Sequence, residues 1–334
     1  MNGKKIDKTI GRREFLKAVG ASVVGLSTSS LQKPALPTLS PRSKRIDTND
    51  SCRIVVFGPD GLRIDSAIKM REEGARALSQ LNPPMMSSSG GLSCTQPGWA
   101  TIFSGLPSER IKCWSNKRFQ AMPREYHIVK KVATMRENRD LFLVWITGKG
   151  HNIMGSKKES PHHAVYKLIV EEGHPGVYHG DETREDDEVF NLALPALQEA
   201  VKHQNFLCFV HFRNPDATGH RVTRDETEGD YEIYMQSARQ VDDYIYELMK
   251  LLPDDTNIVY CSDHGFDFKS IGNPRNGHKF APDGMIAVNF ETLPKSEASQ
   301  LSIGRLIYKL AGGNPDWTTD KKGTLYRMFG EDLV

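Results

Sequence analysis

The sequence predicts an α/β fold in which helices cover both faces of a mostly parallel central sheet. Two observations predict it. Segments typical of strands alternate with segments of helical periodicity along most of the chain. The strand-like segments, such as residues 141–146, are continuous apolar runs, not alternating patterns. Such runs are typical of strands that are buried on both faces.

Each predicted element has a local signature. Residues 53–57 form a short β-rich run that ends in a Gly58-Pro59-Asp60-Gly61 turn, and a helical stretch follows at about 64–81. Residues 230–252 carry apolar side chains at steps of three and four, which indicates an amphipathic helix. The other predicted strands are residues 141–146, 206–212, 257–261 and 285–290, and the other helices are 188–203 and 301–310. Residues 147–188 are the least regular part.

The first 45 residues are predicted to be an export signal and linker. Arg12-Arg13-Glu14-Phe15-Leu16-Lys17 is a twin-arginine pattern, and residues 18–26 are apolar but too few to span a membrane. A stretch rich in Ser, Pro and Thr follows up to residue 43. We therefore expect residues 46–334 to form one domain without a membrane span. We expect that domain to be periplasmic or secreted, after contact with the twin-arginine translocation machinery.

The charge distribution supports this division. Residues 1–45 contain ten of the 44 Lys and Arg residues and two of the 42 acidic residues. The rest of the chain has 34 basic and 40 acidic residues and is therefore slightly acidic. No basic patch indicates nucleic-acid binding by the mature protein.

Five cysteines are few and lack the pair spacing of a metal site. Cys208 and Cys261 lie in apolar runs and are expected to be buried thiols. A disulfide between Cys94 and Cys113 stays open as an alternative.

Short motifs along the chain contain side chains that suit a metal centre. Asp60 follows the first strand, Asp216 and His220 follow the strand at 206–212, and Asp263 and His264 follow the strand at 257–261. In an α/β sheet, ligands bind beyond the carboxyl ends of the strands, so these side chains should converge. His278 lies fourteen positions after His264, in a loop that can fold back over the site. Three aspartates, three histidines and one hydroxyl suit two zinc ions, or other divalent metals.

Thr95 is the candidate for that hydroxyl. It precedes Pro97, and residues 99–103 look like the beginning of a helix. A hydroxyl at a helix N-terminus lies in a positive field that favours its alkoxide and attracts phosphate. On its own, Thr95 would be read as a plain N-cap, and the surrounding metal ligands favour a nucleophile.

With these motifs, the chain resembles the alkaline phosphatase superfamily, and within it the type I phosphodiesterase / nucleotide pyrophosphatase branch. The resemblance extends from Arg53 to the C-terminus and implies an alkaline-phosphatase-like three-layer αβα sandwich. It implies that Thr95, in Thr-Gln-Pro, is the nucleophile. One metal would be held by residues matching Asp216, His220 and His278, and the other by residues matching Asp60, Asp263, His264 and Thr95.

The resemblance also implies a role for Asn116, which lies twenty-one positions after Thr95. In the diesterase branch, an asparagine there donates to a non-bridging phosphate oxygen. A plain loop asparagine is the alternative. Three basic residues lie nearby, Lys112, Lys117 and Arg118. They either bind phosphate or are solvated.

Two departures limit what is carried over. The long insertion that this branch often has before its last histidine is absent, so nucleotide specificity is not implied. A sulfatase needs Cys or Ser at the position of Thr95 and Arg at that of Trp99, and neither is present.

The implied activity is in-line hydrolysis of a small phosphate ester through a covalent phospho-threonine. The alternatives are a phosphomonoesterase on the same scaffold, which would usually offer Arg or Lys to the extra phosphate charge, and a non-catalytic exported zinc-binding protein. Of the other histidines, His162, His163, His174 and His179 are expected to be exposed. His211 is expected to pack beside the site.

Overall fold

Eight strands form one sheet in the computed structural model, which describes residues 51–88, 93–135, 140–222, 228–268, 278, 281, 283–290 and 298–313. The export segment predicted for residues 1–45 lies outside the described residues. The strands are β1 (Arg53–Asp60), β2 (Met85–Ser88), β3 (Leu141–Thr147), β4 (Gly176–His179), β5 (Asn205–Pro215), β6 (Asn257–Cys261), β7 (Gly284–Val288) and β8 (Ala298–Ser299).

The sheet is mostly parallel, as predicted. Its strand order is β4-β3-β5-β1-β6-β7-β2-β8. The five strands from β4 to β6 are parallel to one another, and β7 pairs antiparallel with both β6 and β2. β1 lies between β5 and β6, so the carboxyl ends of these three strands are adjacent.

Helices cover both faces of this sheet and complete the three-layer αβα sandwich. They are α1 (Ile64–Glu72), α2 (Thr95–Ile102), α3 (Ser108–Ile111), α4 (Ile128–Met135), α5 (Gly150–Ile153), α6 (His163–Tyr166), α7 (Asp186–Ala200), α8 (Asp216–Val222), α9 (Glu228–Met249) and α10 (Gln300–Leu310). Apolar side chains of α2, α4 and α10 form the core on one face. Those of α1, α7 and α9 form the core on the other face.

Two predictions of secondary structure were wrong. The helix predicted for 64–81 ends at Glu72, because the chain turns at Gly74 with a φ of +87°, and only a short 3-10 turn, Leu78–Gln80, follows. Residues 147–188 are more regular than expected. They contain α5, α6, β4 and the π-helical turn Lys167–Glu171.

The described residues also show whether helices can span a membrane and whether cysteines are paired. None of their helices is both long and apolar enough to cross a membrane. Cys94 and Cys113 are not joined in a disulfide, and Cys208 and Cys261 are buried as predicted.

Candidate active site

The predicted metal ligands converge at the carboxyl ends of β5, β1 and β6. Asp60 is the last residue of β1, and Asp216 is the first residue after β5. Asp263 and His264 follow β6 after one intervening residue. All four side chains are buried, although three of them carry carboxylates. Buried charges of one sign require compensation, so this edge of the sheet is built for a cationic partner.

A tight turn brings the first two strands together. Gly61, directly after Asp60, has a φ of +69°. A Cβ atom there would lie 2.7 Å from Cβ of Asp216. Only glycine fits both the left-handed backbone and this contact, and Gly61 therefore lets the two aspartates lie side by side.

Asp60, Asp263 and His264 form the first ligand group, with one ligand atom from each lying within 4.8 Å of the others. The backbone N–H of Gly61 donates to Asp263 Oδ1 at 3.2 Å, and Nδ1 of His264 donates to the carbonyl of Gly265 at 2.8 Å. The second atoms, Asp263 Oδ2 and His264 Nε2, are buried and have no hydrogen-bond partner among the described residues. In each side chain, the hydrogen bond to the first atom fixes the position of the second atom. A buried ligand atom that is fixed and has no hydrogen bond suits a metal ion.

Asp216, His264 and His278 form the second group, again within 4.8 Å. His220 adjoins it, with Nε2 at 3.1 Å from Nε2 of His278 and at 3.4 Å from Oδ2 of Asp216. Burial and neighbouring His264 lower the pKa of His278 to about 3, so its imidazole is neutral and can ligate. The family resemblance implies His264 as a ligand in the other group only, whereas the structure brings it within reach of both.

A hydrogen-bond network supports the turn that carries Asp216 and His220. Asn214 Oδ1 accepts from the backbone N–H of Thr218 at 3.0 Å and from its hydroxyl at 2.7 Å. Asp186, at the beginning of α7, accepts from the Asn214 amide at 2.7 Å and from the backbone N–H of Arg213 at 2.8 Å. These contacts tie the first turn of α8 to the end of β5 and fix where Asp216 lies.

Thr95 lies at the N-terminus of α2, where the sequence analysis expected it, and its side chain is buried. Asn116 is beside it, because Oδ1 of Asn116 accepts from the backbone N–H of Gln96 at 2.8 Å. Since this bond uses the amide oxygen, the Nδ2 group is the donor that Asn116 can offer to a ligand. The predicted nucleophile and the predicted donor thus share one helix N-terminus.

Lys149 is a buried cation in the site that the sequence analysis missed. It follows β3, and its Nζ lies 3.0 Å from Asp60 Oδ1, bonds to Asp216 Oδ2 and lies 3.5 Å from Thr95 Oγ1. Burial lowers the pKa of Lys149, but the two carboxylates outweigh that effect and raise it above its ordinary value. The ammonium group is therefore charged at neutral pH.

The pKa values of the three carboxyl groups are shifted in different directions. Burial raises the pKa of Asp60 and Asp216, but the Lys149 ammonium and the neighbouring histidines together outweigh it and hold both below their ordinary value. Burial and the charge of Asp60 raise the pKa of Asp263 well above its ordinary value. The single positive charge of Lys149 therefore does not balance the three carboxyl groups. Together with the unbonded ligand atoms, this shortage shows that the residues fit bound divalent metal.

Comparison with known proteins identifies the family. The model of the type I phosphodiesterase / nucleotide pyrophosphatase family matches residues 54–284. The chain belongs to this family. The matched range includes all of the ligand groups and Thr95, and this phosphodiesterase-family chain is accordingly a phosphoric ester hydrolase of the alkaline phosphatase superfamily. A search of curated proteins finds no match to it.

Solved structures agree with the fold of this phosphodiesterase-family chain. BT1596, a 2-O GAG sulfatase, is 12% identical with a TM-score of 0.51, and the alignment covers 82% of this chain and 72% of that one. Ps i-CgsB in complex with a neocarrahexaose is 14% identical with a TM-score of 0.51, covering 79% and 72%. At such low identity these likenesses establish the alkaline-phosphatase-like fold alone.

The remaining sequence predictions for this family member concern the cations near Asn116 and the other histidines. Lys112, Lys117 and Arg118 are exposed, and Arg118 lies over the ring of Trp114 at 5.0 Å, which favours the solvated alternative. The prediction of exposed histidines was wrong for His162, whose ring is buried with its centroid 5.5 Å from that of Trp145, and His163, His174 and His179 are partly buried. His211 packs beside the site as predicted, and it also contacts Asp60.

Proposed function

We propose that this chain is an exported two-metal phosphodiesterase or pyrophosphatase-type hydrolase that acts through Thr95 and a covalent phospho-threonine. The observation that carries the proposal is the position of Thr95. Its hydroxyl is buried at a helix N-terminus, 3.5 Å from a charged ammonium group that also contacts two carboxylates of the ligand groups. A threonine with a structural role alone does not need a buried ammonium group and carboxylates beside its hydroxyl.

The metal ligands of the proposal come from the two groups described above, with His264 assigned to the first group only and the adjoining His220 completing the second. Asp60, Asp263 and His264 would hold one ion together with Thr95, and Asp216, His220 and His278 would hold the other. Two zinc ions, or other divalent metals, would supply Lewis-acid stabilisation of the phosphoryl oxygens when bound.

The protein's own groups account for the rest of the reaction. Oγ1 of Thr95 gives up its proton to solvent and attacks phosphorus in line with the leaving group. The bond between phosphorus and the leaving oxygen breaks, the departing alkoxide takes a proton from solvent, and a phospho-threonine forms. Water then cleaves this ester and regenerates the hydroxyl. Asn116 Nδ2 and the backbone N–H of Thr95, which begins the helix and has no partner within it, would donate to the equatorial phosphoryl oxygens.

Lys149 favours a second candidate, a phosphomonoesterase on the same scaffold. A monoester dianion carries one more negative charge than a diester monoanion, and a charged ammonium group next to the nucleophile would stabilise it. Asn116 is neutral and does not distinguish the two substrates by charge. In the phosphomonoesterase candidate Lys149 decides the specificity, and in the phosphodiesterase candidate Asn116 does.

Metal removal and two substrates test these candidates. The purified enzyme is stripped with a chelator, titrated with zinc, and assayed on bis-p-nitrophenyl phosphate and p-nitrophenyl phosphate. We expect activity to disappear and to return, saturating at two equivalents of zinc. Saturation at one equivalent or less would contradict the two-metal assignment. Two bound zinc ions without turnover of either ester would indicate a non-catalytic zinc-binding protein.

The proposed location follows from the sequence alone. Residues 1–45 would direct export through the twin-arginine pathway, and residues 46–334 would be the single hydrolase domain. Because this pathway is associated with export of folded proteins, metal could be loaded before translocation. That order suits ligands scattered along the chain between residues 60 and 278.

A further inference from the structure

His211 contacts the site from inside the sheet. It lies in β5, opposite Gly58 of β1, and its ring is completely buried. The indole of Trp99 meets the imidazole edge-on, with 5.4 Å between ring centroids and 89° between planes. A Cβ on Gly58 would lie 2.5 Å from the Trp99 ring, so glycine leaves room for the indole beside the histidine. The plane of the imidazole is therefore fixed by packing.

The two oxygens of Asp60 have separate partners. Oδ2 lies 3.1 Å from Nε2 of His211. Oδ1 lies 3.5 Å from Nε2 of His264 and 3.0 Å from Nζ of Lys149 and therefore faces the ligand group. Since Oδ2 can only accept, Nε2 of His211 must carry the proton and donate.

We propose that His211 is a positioning residue for Asp60, holding Oδ2 so that Oδ1 is presented to the metal. The inference rests on the proposed function, in which Asp60 is a metal ligand. A buried carboxylate without this bond could rotate about its Cβ–Cγ bond and exchange its oxygens. Fixing one oxygen removes that freedom before metal binds, which raises affinity through pre-organisation.

Three substitutions separate a positioning role from a packing role. His211→Phe keeps a planar ring and removes the donor. His211→Gln places an amide N–H near the position of Nε2, whereas His211→Asn places it nearer to that of Nδ1. His162→Phe is the matched control, because His162 is also completely buried among aromatic rings but bonds to His127 at 3.3 Å.

Zinc affinity is measured on the stripped full-length proteins by competition with a chromogenic chelator, and thermal unfolding is followed on the same metal-free samples. We expect His211→Phe to weaken one of the two zinc sites by about 10–100-fold. His211→Gln should stay within a few-fold of wild type, His211→Asn should resemble His211→Phe, and His162→Phe should bind zinc normally. In kinetics at limiting zinc, kcat/KM should fall in the same order.

The outcomes are distinguishable. If wild type binds zinc and hydrolyses esters but His211→Phe binds zinc equally well, the positioning role is overturned and the proposed function stands. If wild type binds no zinc, the proposed function fails first. If His211→Phe does not fold, the comparison of Gln with Asn decides, because equal zinc affinity in these two variants would overturn the proposal.

Discussion

Lys149 and Asp60 form an ion pair in the centre of the site, with 3.0 Å between Nζ and Oδ1 and almost no solvent exposure. The pair joins the end of β3 to the end of β1, although β5 lies between these strands. Removing one partner of a buried pair leaves an uncompensated charge, which costs about 3–5 kcal/mol. Lys149 is therefore expected to affect both the stability of the metal-free protein and the charge preference of the enzyme.

We predict that Lys149→Met lowers the ratio of kcat/KM for p-nitrophenyl phosphate to that for bis-p-nitrophenyl phosphate by about tenfold or more. The variant loses the cation that favours the dianion, and tenfold corresponds to about 1.4 kcal/mol. Steady-state kinetics with saturating zinc measure it, and Lys117→Met, an exposed lysine near Asn116, is the control. An unchanged ratio would leave Lys149 with a structural role only.

Thr95→Ala is expected to abolish turnover of both esters while zinc content and fold stay near wild type. The substitution removes the attacking oxygen but little packing volume. Thr101→Ala, in the same helix and also buried, is the control and should retain activity. Acid quenching during turnover should trap phosphate on wild type and on the control but not on Thr95→Ala. Retention of more than about a tenth of the activity, or roughly 1.4 kcal/mol of barrier, would mean that Thr95 is not the nucleophile.

The export assignment has its own test. Arg12→Lys combined with Arg13→Lys should leave active, uncleaved enzyme in the cytoplasm, because the twin-arginine pathway reads this pair. Cell fractionation with an activity assay measures it, and Lys4→Arg with Lys5→Arg is the control that preserves charge outside the motif. Normal periplasmic delivery of the double-lysine variant would contradict the assignment.

A buried carboxyl far from the chemistry predicts a pH dependence of stability. Asp242 accepts from the backbone N–H groups of Ala77 at 2.8 Å and Leu78 at 3.0 Å, and burial raises its pKa to about 6 from the ordinary 3.8. Between these values the folded protein binds more protons than the unfolded chain, so stability falls as pH rises from about 4 to 6. At 1.36 kcal/mol per unit, this contribution is at most about 3 kcal/mol.

Urea unfolding of Asp242→Asn checks this sign. The variant should be less stable at pH 4, because one backbone N–H loses its acceptor, yet the difference from wild type should shrink as pH rises to 6. Asp243→Asn, at the exposed neighbouring position, should keep the wild-type slope. Parallel curves for wild type and Asp242→Asn would show that Asp242 does not titrate in this window.

The site was predictable to the extent that its residues follow recognisable strands. Asp60, Asp216 and Asp263 each end or follow an apolar run, and parallel strands bring such residues to one edge of a sheet. Lys149 also follows such a run, β3, but the order of strands is a tertiary property, and the position of β3 next to β5 is not readable from the run itself. The Gly148-Lys149-Gly150 sequence was the available signal.

Buried polar residues in the irregular region were less predictable. His162 lies in a polar stretch, and its local sequence favours exposure. It is buried because His127, Phe103 and Trp145 surround it. His127 directly precedes α4, Phe103 directly follows α2, and Trp145 lies in β3. Such contacts between distant segments leave no local periodicity in the sequence.

Asn116 is expected to contribute through its amide donor, and this can be separated from its structural contact. Asn116→Ala should lower kcat/KM for the diester by about 10²-fold or more, as for the loss of one transition-state donor. Alanine also removes the acceptor of the Gln96 N–H bond, so the variant alone does not distinguish the two roles. Asn116→Asp keeps an acceptor for Gln96 but replaces the donor with a negative oxygen.

If the donor matters, Asn116→Asp should lose at least as much activity as Asn116→Ala, because the carboxylate also repels the phosphoryl oxygens. Its thermal stability should stay closer to wild type than that of the alanine variant, since an acidic side chain at a helix N-terminus is favourable. Steady-state kinetics and thermal unfolding on the zinc-loaded proteins measure both effects. An aspartate variant that is as active as wild type would show that Asn116 serves only to hold the N-terminus of α2.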